Sequence, residues 1–322
     1  MVKGENKVNT VNDTRTPQKS PKKGVWNYGK TSIGSRIFDT FNILFMFFMV
    51  VITIYPFLYV LFSSVSDPMR LMSFQGILLK PLGFTLKGYE YVFSNNSIIN
   101  GYGVTLFVVV VGSACNMTMS LLFAYVLSRK NLMWHGPITF IAVFTMYFSG
   151  GMIPTYIIVR NLGLIDRLWA MILPGLISTW NVIILRTALK GVPYELEESA
   201  KIDGAGDMRI LVRILIPLIE PTIAAIALFY MVGHWNAWSN ALIYIKSPAK
   251  YPLQLVLRSI LVQNNAMGMT AGEGMYEPGQ STAARMLLQY AVIIVSIVPI
   301  ICVYPFLQKY FTRGVMIGAI KG

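Results

Sequence analysis

The residues that most resemble a chemical site form a possible phosphate-binding loop near the N-terminus. The segment GVWNYGKT, residues 24–31, satisfies the pattern G-x-x-x-x-G-K-[ST] at every position. Such a loop cradles phosphates only when a buried strand precedes it and a helix follows it. The preceding segment is polar and contains Pro17 and Pro21, so it offers no apolar run that could form the strand. We therefore interpret the motif as a chance match in a flexible tail.

The composition indicates that the rest of the chain lies in a membrane. Of the 322 residues, 55% are hydrophobic and 13% are charged, which leaves too little polar surface for an ordinary soluble globule. Six mainly apolar stretches of at least 18 residues lack Asp, Glu, Lys and Arg. Each can cross the ~30 Å hydrocarbon core as a helix, so we expect an all-α integral membrane protein with six transmembrane helices. The stretches are 40–66, 91–128, 136–159, 168–185, 221–245 and 286–308.

The distribution of basic residues predicts the orientation in the membrane. With six spans both termini lie on one side, and 18 of the 27 Lys and Arg residues fall in the tails and loops of that side. Cytoplasmic segments carry this excess, so both termini are expected in the cytoplasm. The same excess explains the net charge of +13, and we infer no nucleic-acid partner. Residues 1–36 are expected to be a basic, disordered tail that can contact anionic lipid, and residues 37–322 the membrane domain.

Groups that could perform covalent chemistry are scarce. Cys115 and Cys302 fall within predicted spans, and His135 and His234 are the only histidines. The spans contain no metalloprotease motif, nucleophile elbow or carboxylate cluster, so neither an enzyme active site nor a metal site is expected.

One loop, residues 189–221, has the pattern of a soluble helical hairpin. Pro193 suits the first helical position, and three glutamates follow in the first turns, where they complement the helix dipole. Gly204 and Gly206 permit a reversal of the backbone, with Asp203 or Asp207 able to cap a helix. A second, basic and apolar helix then leads to Pro217.

The first helix of this hairpin has a face of small residues. Leu196, Ala200 and Gly204 are spaced four apart, so they share one side over which another protein can approach closely. The alternative is a helix that only lies on lipid, but its glutamates would be repelled by an anionic leaflet. A protein partner is therefore the favoured interpretation.

The hairpin resembles the signature loop of the permease subunits of binding-protein-dependent ABC importers. That loop reads Glu-Ala-Ala, three residues, Gly, nine residues, then Ile-x-Leu-Pro, and the spacing here is unbroken. Ser replaces one Ala and Ile replaces Leu, and both changes conserve size. The matching residues are Glu198, Ser199, Ala200, Gly204, Ile214, Ile216 and Pro217.

The segments 148–175 and 308–322 are similar to the carbohydrate-uptake branch of this family, notably to permeases for oligosaccharides. The resemblance implies a type I importer fold in the bacterial cytoplasmic membrane, with a second homologous permease, two ATPase subunits and an external solute-binding protein. It also implies that the loop at about 190–217 is a coupling helix seated in the ATPase, and that ATP and Mg²⁺ bind only to the partner subunits. Glu198 would then pair with a basic group of the partner, Asp203 would support the turn, and bulk at Gly204 would uncouple the two proteins.

Two clusters have the amide and aromatic groups that bind sugars. The first contributes Trp180 and Asn181 in the fourth span, and the second contributes Trp235 and Asn236 in the fifth. The alternative is that these tryptophans form an interfacial belt and that the amides tie helices together. We expect the solute-binding protein to dock on the long outer loops.

Two rival functions stay open at this point. The same architecture could import peptides, amino acids or polyamines, because the signature loop is shared across importer branches. A membrane-embedded enzyme is the alternative of another class, and the lack of catalytic groups within the spans speaks against it.

Overall fold

The computed structural model describes residues 33–129, 132–266 and 282–319, so the possible phosphate-binding loop lies outside the described residues. Within those ranges the regular structure is helical, apart from one isolated bridge between Ser66 and Phe84. The helices are α1 (Ile33–Ser64), α2 (Pro68–Ser73), α3 (Lys87–Ser94), α4 (Asn96–Ser128), α5 (His135–Tyr147), α6 (Met152–Asn161), α7 (Trp169–Ile172), α8 (Thr179–Lys190), α9 (Tyr194–Ile202), α10 (Asp207–Ile210), α11 (Ile216–Leu218), α12 (Glu220–Trp235), α13 (Ser239–Tyr244), α14 (Leu253–Ala266) and α15 (Thr282–Ala319).

The chain divides into two compact units, Met1–Tyr55 and Pro56–Gly322. The described part of the first unit is the N-terminal two-thirds of α1, whose large apolar side chains are exposed. Such a helix is stable in hydrocarbon, where exposed apolar side chains face lipid instead of water. The second unit contains all the other helices.

Three of the predicted spans correspond to long, continuous helices and three to broken ones. Helices α1, α4 and α15 are each long and apolar enough to cross a membrane. The other three are pairs of shorter helices, bent by 114° between α5 and α6, by 56° between α7 and α8, and by 89° between α11 and α12. The stretches 136–159 and 168–185 are broken at the first two bends, and 221–245 is broken between α12 and α13, so the prediction of unbroken helices there is wrong. The 89° bend lies before the stretch 221–245, and the count of six spans stays a prediction.

The breaks coincide with residues that disrupt helices. Gly150 and Gly151 separate α5 from α6, and Gly151 has a φ of +84°, which favours glycine. Pro174 lies in the 3₁₀ turn that follows α7, and Pro221 lies at the start of α12. The second stretch is also shorter than predicted, because Asn95 ends α3 and its side chain caps α4 by accepting from the N–H groups of Ser97 and Ile98.

The largest buried cluster lies where α4, α8, the hairpin and α12 meet. Side chains from all four are almost fully buried there, which makes α4 the central helix of this part of the fold. Its buried members include Leu121, Leu127, Leu185, Leu189, Ala200, Ile210, Leu211, Leu215 and Ile226.

Candidate functional site at the helical hairpin and along α4

The predicted hairpin is present as α9, a tight turn and α10, with a π-helical segment Leu211–Leu215 joining α10 to α11. We expected Pro193 to be the first helical residue, but it lies one position earlier, at the N-cap of α9. Gly204 has a φ of +78° and follows the C-terminus of α9. Its N–H donates to the carbonyl of Lys201 and the N–H of Ala205 donates to that of Ala200, at 3.0 and 2.9 Å. This pattern is a Schellman motif, which requires a left-handed residue at that glycine.

The two aspartates near the turn do not cap a helix with their side chains, contrary to expectation. Asp203 is the last residue of the α9 cap and only its backbone takes part. The N-cap of α10 is Gly206, and Asp207 is the first helical residue, where its charge complements the helix dipole.

The signature residues separate into an outward and an inward set. Glu198, Ser199, Asp203 and Gly204 are exposed, and no atom lies within 4 Å of where a Cβ at Gly204 would be. Ala200 is only 9% exposed, because it packs in the buried cluster beneath the hairpin. The prediction that Ala200 lies with Leu196 and Gly204 on one open face is therefore wrong for Ala200. Of the remaining motif residues, Ile214 and Ile216 are half-buried and Pro217 is exposed.

Glu197 is a second hairpin residue whose burial the sequence did not predict. We grouped it with Glu195 and Glu198, which are exposed, but Glu197 is only 3% exposed and forms an ion pair with Arg129 just beyond α4. The guanidinium also lies over the ring of Tyr125, 4.3 Å from its centroid. Arg129 and Glu197 are 68 residues apart in the chain, so no local pattern pointed to the pair.

A second polar junction lies at the same end of α4. The side-chain Nε of Arg186 in α8 donates to the carbonyl of Leu127 at 3.0 Å, and His135 in α5 contacts that carbonyl and Arg186. A cation at this place satisfies a terminal carbonyl of α4 and complements its dipole. The C-terminal end of α4 is therefore bonded to three other helices.

A third junction lies deeper, where the bent segment between α7 and α8 crosses α4. The Asn116 amide of α4 donates to the carbonyls of Gly175 and Leu176 at 2.7 and 2.9 Å, which the break leaves without helical partners. Its oxygen is 2.7 Å from Nε2 of His234 in α12. Gly112 is required here because a Cβ would lie 2.6 Å from that nitrogen. Neither Asn116 nor His234 was among the predicted site residues, although a histidine inside a span is itself a signal.

The four sugar-pathway candidates are not brought together as one site. Trp180 is 62% exposed, whereas Asn181 is buried. Trp235 is 7% exposed and packs edge-to-face with Tyr102 in a separate cluster, so its ring is not available to stack on a sugar in this conformation. Asn236 is exposed and donates to the carbonyl of Val232, as expected of a residue that ends α12.

A polar clamp lies in the loop after α6, on the side opposite the hairpin in the predicted topology. Asp166 has a φ of +59°, and its carboxylate accepts from the N–H groups of Lys246 and Ser247 and from the hydroxyl of Ser247. The Nζ of Lys250 lies 2.9 Å from the same carboxylate. The hydrogen bond from the Ser247 hydroxyl and the one from Lys250 hold the pKa of Asp166 well below its ordinary value.

The comparisons with known proteins agree with this geometry. No model of a known protein family matches the chain. A polygalacturonan/rhamnogalacturonan transport system permease protein, YtcP of Bacillus subtilis (strain 168), is 41% identical over 289 residues, which are 89% of this chain and 99% of the relative. The chain belongs to the permeases of carbohydrate ABC importers.

Solved structures show the same fold. One similar chain comes from a crystal structure of a bacterial ABC transporter that is involved in the import of the acidic polysaccharide alginate. It is 28% identical and superposes with a TM-score of 0.79 over 87% of this permease and 98% of that chain. A chain of a bacterial alginate ABC transporter, in complex with alginate pentasaccharide-bound periplasmic protein, has a TM-score of 0.53 and 16% identity over 87% and 97% of the two chains, and supports the fold alone.

These findings confirm the fold class and the family resemblance. The permease is an all-α integral membrane protein and a transport subunit, not an enzyme. The membrane-embedded enzyme is thereby ruled out as the main interpretation. The site residues, the partner composition and the identity of the imported carbohydrate stay predictions.

Proposed function

We propose that this permease, in the bacterial cytoplasmic membrane with both termini inside the cell, imports acidic oligosaccharides by alternating access. The observation that carries the cargo class comes from two similar proteins. Polygalacturonan and alginate are both acidic polysaccharides, and the proteins named for them are similar to this permease over nearly its whole length. A neutral sugar, peptide or amino acid has weaker support.

The hairpin is proposed as the contact with a separate ATPase subunit. Its outer surface combines exposed signature residues with exposed apolar side chains, among them Ile202 at 81% and Met208 at 60%. Large apolar groups at the tip of a charged hairpin mark a protein interface better than a solvated loop. The inner surface is packed against α4, so a force applied to the tip acts on the membrane helices.

The remaining partners follow from the family. We propose a second homologous permease, two ATPase subunits that bind ATP and Mg²⁺, and an external solute-binding protein. The alginate transporter that is in complex with a periplasmic protein supports the last of these. This chain would itself bind no cofactor. Of the long outer loops proposed to dock the binding protein, the one before the last span includes residues 267–281, which lie outside the described residues.

Uptake in cells tests the cargo. A strain that lacks this permease should lose energy-dependent uptake of labelled oligogalacturonate and regain it when the permease is supplied in trans, whereas uptake of a neutral arabinooligosaccharide of equal length should not change. Unchanged oligogalacturonate uptake in the deletion strain would contradict the proposed cargo. Equal loss of both sugars would contradict the acidic specificity.

A further inference from the structure

The burial of Glu197 is the starting point, because a carboxylate is rarely removed from water without a partner. Its side chain is 4% exposed and its partner Arg129 is 22% exposed. Charges in such positions are retained when they are paired, and removing one partner leaves the other uncompensated. Exposed Glu195 and Glu198, on the same helix, show that α9 tolerates glutamate outward as well. The inward position of Glu197 is thus a specific feature.

Arg129 is fixed to α4 by contacts on several sides. Its backbone N–H donates to the carbonyl of Val126, its Nε donates to Ser128 Oγ at 3.1 Å, and its guanidinium lies over Tyr125. These groups all belong to the last turns of α4. The guanidinium therefore moves with α4, and Glu197 is bonded to that helix and not to a mobile side chain.

The second arm of the hairpin contacts the same turn of α4. The hydroxyl of Tyr125 donates to Oδ1 of Asp207 at 3.3 Å, across the turn from Glu197. Tyr125 and Leu127 also lie in the buried cluster that contains Ala200 and Ile210, one from each arm. Both arms are thus joined to one helical turn by polar and apolar contacts.

From this turn α4 runs without a break to Asn116, the junction with the bent segment before α8. Thirteen residues separate positions 116 and 129, which corresponds to about 20 Å of α-helix. A continuous helix transmits an axial displacement over that distance, whereas the broken spans do not. At its far end, Asn116 is hydrogen-bonded to the segment between α7 and α8 and lies 2.7 Å from His234.

We propose that Arg129 and Glu197 are positioning residues for transport, and that their ion pair is the joint that makes the hairpin and α4 move as one body. The inference rests on the proposed contact of the hairpin with an ATPase. It accounts for the connection between the inner side of the hairpin and α4, which the exposed signature residues do not explain. The pair contacts neither sugar nor nucleotide, so its loss should separate ATP hydrolysis from uptake.

The test uses the complete importer, with its second permease, ATPase subunits and binding protein, reconstituted in proteoliposomes. Glu197→Gln and Arg129→Gln each remove one charge, and Arg129→Lys keeps the charge but loses the planar fork. Glu220→Gln is the matched control, because Glu220 is an exposed glutamate at the start of α12, outside the proposed ATPase contact. Four quantities are measured: the amount of assembled complex, basal ATP hydrolysis, its stimulation by the loaded binding protein, and uptake per ATP hydrolysed.

We expect Glu197→Gln and Arg129→Gln to assemble with the ATPase and to retain basal hydrolysis, while uptake per ATP falls at least tenfold. Arg129→Lys should recover part of the uptake, and Glu220→Gln should match the wild type. The double exchange Arg129→Glu with Glu197→Arg should exceed either single charge removal, because it again places opposite charges in the joint.

Normal uptake per ATP in Glu197→Gln would overturn the proposal. So would failure of all the pair variants to assemble while Glu220→Gln assembles, since the pair would then serve folding alone. If the wild-type permease does not bind an ATPase, the proposed function itself fails. Binding of the ATPase to the wild type is therefore measured before the variants are compared.

Discussion

The sharpest prediction concerns Gly112, where α4 passes His234. A methyl group at position 112 would lie 2.6 Å from Nε2, 2.9 Å from Cε1 and 3.0 Å from Cδ2 of the imidazole. These distances are well inside van der Waals contact, and the ring cannot withdraw without losing its 2.7 Å contact with Asn116. Overpacking of this kind costs about 1–3 kcal/mol, and loss of one hydrogen bond adds about 0.5–1.5 kcal/mol. Replacing a helical glycine returns up to about 1 kcal/mol, so Gly112→Ala should destabilise the permease by about 1–3 kcal/mol in total.

Reversible unfolding of the purified permease in mixed micelles measures this effect. Gly103→Ala is the matched control because it lies in the same helix with no atom within 4 Å of the added Cβ. It should be neutral or stabilising by up to about 1 kcal/mol, the usual gain from replacing a helical glycine. In the double variant Gly112→Ala/His234→Ala the methyl fills vacated space, so its cost should be less than the sum of the two single costs. Equal stability of Gly112→Ala and Gly103→Ala would refute the close contact and with it the junction at Asn116.

Three further predictions concern other parts of the chain. Asp166→Asn keeps a residue that tolerates positive φ but removes the charge that Lys250 contacts. Because the pKa of Asp166 is lowered in the folded state, its carboxylate stabilises the fold above about pH 4, the ordinary pKa of Asp. This stabilisation is lost on further acidification. The thermal midpoints of wild type and variant should thus differ at pH 6 and converge below pH 4, and a constant difference would contradict this. Trp235→Ala should destabilise the permease by about 3–5 kcal/mol, because it removes a buried aromatic ring. Trp180→Ala removes an exposed ring, so it should leave unfolding unchanged and raise the sugar concentration for half-maximal uptake. Equal unfolding curves for the two variants would contradict the assignment of Trp235 as buried and Trp180 as exposed. Lys30→Ala should leave ATP hydrolysis by the assembled importer unchanged, and loss of hydrolysis would restore the phosphate-loop interpretation.

The sequence predicted those features that depend on local pattern. The apolar stretches indicated a membrane protein, and the spacing from Glu198 to Pro217 located the hairpin and placed glycine where the turn has a positive φ. The breaks in three spans were not predicted, although Gly151 and Pro174 mark two of them. Apolar composition alone does not distinguish a straight span from a bent one.

The remaining features depend on contacts between distant segments. Whether Glu197 or Glu198 faces inward depends on where Arg129 lies, and a helix with polar residues on several sides does not reveal that from its own sequence. The burial of Trp235 follows from its packing against Tyr102, 133 positions earlier in the chain. Ala200 was assigned to the correct helix but to the wrong surface, because a small apolar residue suits both a partner contact and a tightly packed interior.

The central claim is that the hairpin tip carries force between this permease and a separate ATPase, and Gly204 tests it most directly. Gly204→Asn and Gly204→Glu both replace a glycine at a φ of +78° next to open space, so neither clashes within the chain, and Asn tolerates this backbone conformation. ATP-driven uptake and binding-protein-stimulated hydrolysis should be lost in Gly204→Glu and largely kept in Gly204→Asn, with normal membrane insertion of both. Wild-type uptake and stimulation in Gly204→Glu would contradict the claim.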